Sequence, residues 1–308
     1  MVKKKKILLF GGSGLLGLNF IKKYNKNYEI IATYYSNRPV TFRNKNIKFI
    51  KLNLRDPLSK IILKLKTYKP EYVLNFSGIS ETDICEKEKE KCKEIVYYGL
   101  QKISKIAKKF NSLILHISTD TVYNKKNKSN TENSNLKGQN YYSKLKIKCE
   151  KYILNNHSKY IIIRTRFFGY SITKKNFFEQ ILLSAKKNKK INCFKNIYNN
   201  PISVLNLSEI IDKLIENNIK GTFNISSDKK ISRYNFAKLV CKIFEIKEKK
   251  IINGVNYSPT KKKIKKPQNS TLSNKKIKKY KFVKIENLTK SLIKLKNEKK
   301  YYRYSSSF

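Results

Sequence analysis

The sequence predicts an α/β fold: a doubly wound parallel sheet followed by a smaller, less regular C-terminal lobe. Three observations predict it. Short β-branched apolar runs alternate with helical patterns through the first half of the chain. A glycine cluster joins the first run to the first helix. The regular alternation stops near residue 165 of 308, and a chain of that length makes one large domain or two lobes.

The elements follow in order. The first strand is expected at Ile7–Phe10, behind four lysines. That start mimics a signal peptide, but the apolar run is short, breaks into Gly-Gly-Ser-Gly and meets no small-residue cleavage site. A helix at Leu15–Lys23 leads to strands at Glu29–Tyr34 and Ile47–Leu52, then a helix at Pro57–Thr67. Strands at Tyr72–Phe76, Leu113–Ser118 and Tyr160–Thr165 alternate with helices at Glu86–Phe110 and Tyr141–Asn155. Apolar runs at this spacing, separated by helices, imply βαβ units and a sheet covered on both faces. Beyond residue 165, helices are expected at Asn176–Lys187, Leu207–Asn217, Tyr234–Phe244 and Ile285–Leu295, with one more strand at Phe223–Ile225. The division is residues 1–165 for the sheet domain and 166–308 mainly for the second lobe, with segments near 196–226 returning to the sheet. Ser258–Lys266 is lysine-rich and weakly patterned, and the tail from Lys299 to Phe308 reads as loose.

Charge is the outstanding feature of the composition. With 70 Lys+Arg and 21 Asp+Glu, the formal charge is +49. That number alone points to nucleic acid or an anionic surface. Only seven of the 70 are arginines, however, and Lys, Asn and Ile together make 136 of the 308 residues. Codons rich in A and T encode all three, so base composition explains their joint excess. Selection for phosphate contacts would favour the bidentate fork of arginine instead. The reading is therefore no nucleic acid partner. No apolar run is long enough to span a membrane. Five cysteines at wide spacing and only two histidines argue against a disulfide framework or a metal site, and for a reduced, cytoplasmic protein whose cysteines fill the core.

Gly11, Gly14 and Gly17 stand in Gly-x-x-Gly-x-x-Gly spacing between the first strand and the first helix. The first permits a tight turn, the second lets the backbone approach a pyrophosphate, and the third lets the helix pack on the strand. Backbone N–H groups of Ser13, Leu15 and Leu16 at the helix N-terminus then face the diphosphate. The sheet is therefore of the Rossmann type, with a dinucleotide as cofactor. No Asp or Glu ends the second strand to take a ribose 2′-hydroxyl. Ser36 and Arg38 stand there instead and suit a 2′-phosphate, which favours NADPH over NADH. The plainer reading of Arg38 is a surface arginine in a basic protein. Asn53 and Leu54, after the third strand, flank the adenine.

Ser118-Thr119-Asp120-Thr121 ends the fifth strand, and Tyr142 and Lys146 follow some 23 residues after Thr119. Four residues apart on a helix, Tyr142 and Lys146 share one face. An ammonium beside a phenol favours the phenolate and lowers a pKa that starts near ~10. Such a tyrosine exchanges a proton with a substrate oxygen near neutral pH. Thr119 would hold the substrate carbonyl. Chance Tyr-x-x-x-Lys spacings abound in this chain; the order of glycine turn, Ser-Thr-Asp strand end and Tyr–Lys helix distinguishes this one.

With these motifs in place, the chain resembles the extended short-chain dehydrogenase/reductases, and among them the dTDP-4-dehydrorhamnose reductases and their sugar-nucleotide-binding relatives. The matching segments run nearly end to end: Gly11–Gly17, Asn75-Phe76-Ser77-Gly78, Ile117–Tyr123, Tyr142–Glu150, Ile163–Thr165, Asn200–Ser203, Gly221–Ile225 and Lys266-Pro267-Gln268-Asn269-Ser270. The resemblance implies a catalytic Thr119, Tyr142 and Lys146, and puts Asp120 beside the substrate. It puts Phe76, Ser77 and Gly78 under the cofactor. It implies NADPH-dependent reduction of the keto group of a nucleotide-linked 4-keto-6-deoxysugar, in sugar-nucleotide and surface-polysaccharide biosynthesis. Thr121 stands where the family usually has Tyr, Tyr97 where it usually has Asn, and Phe76 and Gly78 replace smaller or different residues. These departures leave two alternatives: a cofactor-binding regulatory subunit without turnover, or an epimerase or dehydratase on the same scaffold. A dehydratase generally wants an acid pair, and Asp120-Thr121 supplies one carboxylate.

The remaining features have plain readings. Glu81, Thr82, Asp83 and Glu86 suit a helix N-terminus. His116 is expected packed, and His157 without a partner. Arg164 and Arg166 point toward the cleft, with Arg166 and Phe167 as substrate contacts. The Lys261–Lys266 run reads as a solvated loop. The oligomeric state stays open, a homodimer among the alternatives.

Overall fold

The computed structural model describes residues 4–37, 39, 44–65, 67–79, 81–124, 129–171, 176–258 and 264–302. Arg38, Lys261–Lys263 and, from the expected loose tail, residues 303–308 lie outside them, while residues 299–302 of that tail are helical. The first half runs β1 (Lys6–Phe10), α1 (Leu15–Tyr24), β2 (Glu29–Tyr34), β3 (Ile47–Lys51), α2 (Leu58–Leu65) and β4 (Tyr72–Asn75). It continues through α3 (Thr82–Lys87), α4 (Lys89–Lys93), α5 (Gly99–Lys109), β5 (Leu113–Ile117), α6 (Tyr141–Asn156) and β6 (Tyr160–Arg164). The second half adds β7 (Phe167–Phe168), α7 (Phe177–Lys186), β8 (Ile191–Phe194), β9 (Tyr198–Asn199), β10 (Ile202–Ser203) and α8 (Val204–Glu216). It ends with β11 (Gly221–Asn224), β12 (Ile231–Ser232), α9 (Arg233–Ile243), α10 (Glu248–Ile251), β13 (Ile252–Val255) and α11 (Leu288–Tyr302).

Seven strands form one parallel sheet in the order β11-β6-β5-β4-β1-β2-β3. The inner strands β1, β4 and β5 are almost continuous apolar runs because both faces are covered, whereas the edge strand β3 alternates Ile, Phe and Lys and is only half-buried. One face packs α1 and α8 through Leu16, Phe20, Leu207, Ile211 and Phe223. The other packs α2, α5 and α6 through Ile61, Ile103, Leu145 and Ile153. The chain runs outward from β1 to β3, then crosses back to lay β4 on the other side of β1. Strand order thus reverses between β1 and β4, and a crevice opens at the carboxyl ends of these strands, where open α/β sheets bind ligands. The chain leaves the sheet after β6 and returns as α8 and β11. The second lobe has its own core of Phe168, Phe178, Ile181, Phe236, Val240, Leu288 and Leu292. It carries a short β8–β13 sheet.

Two expectations change. The long helix at Glu86–Phe110 is three helices, with a wider π-type turn at Glu94–Tyr98 between α4 and α5. The cysteines are not all free. Cys85 and Cys92 are joined as a disulfide across the α3–α4 junction, where one turn of helix each brings them to a Cα separation of 5.2 Å. Cys149, Cys193 and Cys241 are free and buried, as core filler should be. Among the described residues, no helix is long and apolar enough to cross a membrane, and no cluster of metal-ligating side chains is found.

Candidate active site

The glycine turn lies at the crevice. Gly11 has φ +84°, and a Cβ there would sit 2.7 Å from the Ser77 nitrogen, so only glycine fits. A Cβ on Gly17 would lie 2.3 Å from the Gly11 carbonyl, which is how closely α1 packs on the turn. Phe76 N–H donates to the Phe10 carbonyl at 3.0 Å, binding the two sides of the crevice together. Helix α1 starts at Gly14 without a side-chain cap or an acidic residue in its first turn. Helices α6, α7, α8 and α9 are capped by Asn140, Asn176, Ser203 and Ser232. Among the described residues, no side chain caps the N–H groups at Ser13, Leu15 and Leu16, and the cradle fits a diphosphate. Ser36 is exposed just past β2, and the sequence from Ile30 to Asn46 carries no Asp or Glu. Asn53 Oδ1 accepts from the Arg55 N–H at 3.0 Å, and Leu54 packs against Gly99.

Thr119, Tyr142 and Lys146 converge at the carboxyl end of β5. Thr119 follows the strand and caps the short turn Asp120–Val122. Its hydroxyl lies 3.0 Å from that of Thr121 and within hydrogen-bonding reach of the half-buried Tyr142 phenol. Helix α6 is set by a capping box of Asn140 and Ser143, and by Glu86, whose carboxylate accepts from the Tyr141 N–H at 2.7 Å.

Lys146 does not do what its spacing predicts. Its Nζ reaches past Tyr142 into the sheet, 2.6 Å from the Ile117 carbonyl and 3.0 Å from His116 Nε2. Burial raises the Tyr142 pKa, Asp120 adds to the rise, and Arg166 opposes it. Burial lowers that of Lys146. The expected lowering of the phenol by the lysine is thus corrected: helical spacing shares a face but does not bring these two heads together.

Asp120 is buried and held from two directions. Arg166 Nε donates to its Oδ2 at 2.8 Å, and the Ser270 hydroxyl donates to the same oxygen at 2.5 Å. Ser270 arrives on a strap, residues 268–274, that crosses both lobes. It pairs with Tyr198, with Asn130 through Thr271 and Ser273, and with Asn200 through Leu272. Phe167 is half-buried against the sheet-side core, Phe168 in the second-lobe core.

Arg164 departs from its expected direction. It is buried and forks onto Glu150, with Nη2–Oε2 at 2.7 Å and Nε–Oε2 at 3.0 Å, so its charge is spent inside the fold. His157 has a partner after all, the Ser104 hydroxyl at 2.6 Å. Tyr97 stands edge-on to Tyr152 rather than at the reacting groups.

Arg233, at the start of α9, was not foreseen. Its guanidinium lies 5.0 Å from the Phe177 ring centroid, and burial and Arg166 push its pKa down to about 10. Burial and Arg233 lower that of Lys266 as well. Arg166, Arg233 and Lys266 thus crowd three cations against Asp120 and Asp83, beside Tyr142. The available signal was rarity: in a chain where lysine is the default cation, an arginine draws attention to its position.

Comparison with known proteins bears on the family and the fold. The family model described as RmlD substrate binding domain matches residues 5–300. The chain is similar to the spore coat polysaccharide biosynthesis protein SpsK of Bacillus subtilis, 27% identical over 75% of this chain and 77% of that protein. It is also similar to methionine adenosyltransferase 2 subunit beta of Xenopus laevis, 22% identical over 80% and 74%. In fold it matches a dTDP-4-dehydrorhamnose reductase of Bacillus anthracis in complex with NADP, with TM-score 0.81, 19% identity, and 96% and 100% of the two chains covered. The extent of the family match carries one conclusion: this chain belongs to the RmlD substrate binding domain family.

Proposed function

We propose that the protein reduces the keto group of a nucleotide-linked 4-keto-6-deoxysugar, with NADPH as the cofactor. The observation that carries this reading is the convergence of Thr119, Tyr142 and Lys146 on a crevice whose far wall is the Gly11–Gly17 cradle. A bound reduced nicotinamide supplies the hydride for the carbonyl carbon. Thr119 orients the carbonyl oxygen, and Tyr142 gives that oxygen its proton. The raised pKa of Tyr142 keeps the phenol protonated, as a proton donor must be. Lys146 holds the ribose. Arg166, Arg233 and Lys266 outnumber the carboxylates around them, and a substrate diphosphate would take up the surplus. Ser36 and the absence of an acid beside it favour the 2′-phosphate of NADPH.

The test is loss of nicotinamide absorbance when purified protein meets NADPH and a dTDP-4-keto-6-deoxysugar. Turnover undiminished in Tyr142→Phe would overturn the mechanism.

A second reading follows from the similarity to methionine adenosyltransferase 2 subunit beta, together with Thr121 and Tyr97. In it the chain binds the dinucleotide and serves as a subunit of a partner enzyme. NADPH binding without reduction of any sugar nucleotide, with an enzyme co-purifying, would decide for it.

A further inference from the structure

A chain of buried polar groups joins Lys146 to the turn on the opposite side of the crevice. Asn75 ends β4, and His116 on β5 is its direct partner in register. Both are buried, as is Lys146. The Asn75 amide can face only one way. Its Oδ1 accepts from the backbone N–H of Ser77 at 3.1 Å and from the Ser77 hydroxyl at 2.7 Å. Its Nδ2 therefore turns to His116 and donates to Nδ1 at 3.1 Å.

A neutral imidazole has one acceptor nitrogen and one N–H. With Nδ1 accepting, the proton sits on Nε2, and that N–H faces Lys146 Nζ at 3.0 Å. An imidazolium would instead turn an N–H on the Asn75 amide. An ammonium has three donors and no acceptor, so it cannot receive the Nε2–H. An amine can: its lone pair accepts from His116 while one N–H donates to the Ile117 carbonyl at 2.6 Å.

The surrounding charges agree. On α6, Glu150 is taken by Arg164, and the Cys149 thiol is pushed up to about 12 by burial. Beyond Tyr142, Asp120 is taken by Arg166 and Ser270. Each carboxylate near Lys146 is already matched to an arginine.

We propose that Asn75 and His116 are positioning residues that hold Lys146 as a neutral amine in the cofactor-free protein, under control of the turn at Ser77. If that turn moves and releases the amide, the imidazole proton passes to Nδ1. Nε2 then becomes an acceptor, and Lys146 takes one proton from solvent to become the ammonium. The proposal rests on the proposed reaction only for the importance of Lys146, and its test requires no turnover.

The experiment is an NMR pH titration of cofactor-free protein carrying 13Cε-labelled lysine, with Lys146→Met identifying the resonance. In the wild type, Lys146 is expected to titrate below the other lysines, as a separate resonance. In Asn75→Asp, the new carboxylate draws the proton to Nδ1, and the midpoint rises toward the others. His116→Gln, whose amide can turn its oxygen to Lys146, gives the same rise and serves if Asn75→Asp fails to fold. A wild-type Lys146 titrating with the surface lysines, or a midpoint that stays put in the folded variants, overturns the proposal. An inactive protein can pass this test and an active one can fail it.

Discussion

Replacing Glu150 with alanine is expected to destabilise the protein by about 3–5 kcal/mol. The carboxylate receives Arg164 Nη2 at 2.7 Å and Nε at 3.0 Å, as well as the Ser118 hydroxyl. The two side chains are 1% and 5% exposed, so water replaces none of these bonds. An ion pair open to solvent would contribute about 0–1 kcal/mol. In the alanine variant the guanidinium stays in the fold with only the Tyr123 hydroxyl at 2.5 Å and the Glu132 carbonyl at 2.9 Å. The cost is that of a buried charge left unmatched. At about 1.4 kcal/mol per tenfold, it lowers the folded-to-unfolded ratio by roughly two to nearly four orders of magnitude. The assay is urea unfolding followed by circular dichroism, with midpoints compared at a common slope. The double variant Glu150→Leu/Arg164→Met removes both charges and is expected to lose less than the single one. A single variant within about 1 kcal/mol of wild type would refute the reasoning. So would a double variant that loses as much as the single.

Four further outcomes are expected. Gly17→Ala places a methyl group 2.3 Å from the Gly11 carbonyl; it should cost about 1–3 kcal/mol and weaken NADPH binding at least about tenfold in a fluorescence titration, and an unchanged Kd would count against the cradle. Arg233→Ala should raise KM for the sugar nucleotide far more than it lowers kcat, with an effect that shrinks as salt is added. His116 and His157 are held below the ordinary value of 6.5, chiefly by burial, so their stabilisation is fully present above that pH and is lost as pH falls below it and through their lowered values. The loss is at most about 1.4 kcal/mol per pH unit for each histidine, and His116→Gln should flatten the acid limb of urea midpoints. Denatured, unreduced protein should titrate three thiols, and five after reduction.

Local pattern carried most of the sheet. The six strands of the first half stand where apolar runs predict them; the inner ones are buried on both faces and so apolar nearly throughout, and the edge strand β3 keeps only a partial apolar pattern. The glycine turn was legible for the same kind of reason: Gly11 and Gly17 occupy positions that no side chain can share with Ser77 or with the turn itself. Contacts made across the fold were not legible. The break in the Glu86–Phe110 helix has no proline to mark it, and it follows from packing against α6, where Cys149 Sγ reaches the Val96 carbonyl at 3.3 Å. Lys146 was placed on the correct helix face, but helical spacing could not say that Ile117 and His116 would take its head. Arg164 and Arg166 are two residues apart, and only the tertiary fold separates the one buried on Glu150 from the half-exposed one paired with Asp120.

The strap at residues 268–274 has a consequence for how the protein is made. Synthesis delivers the glycine turn first, Asp120 and Tyr142 next, and β11 after more than two thirds of the chain. The hydroxyl that steadies Asp120 comes later still, 150 residues behind its partner in sequence. A nascent chain halted just after β11 therefore has every strand of its central sheet and an open, unsteadied pocket. The order of translation leaves completion of the site until after the central sheet, once the ribosome has released enough chain for the strap to cross both lobes.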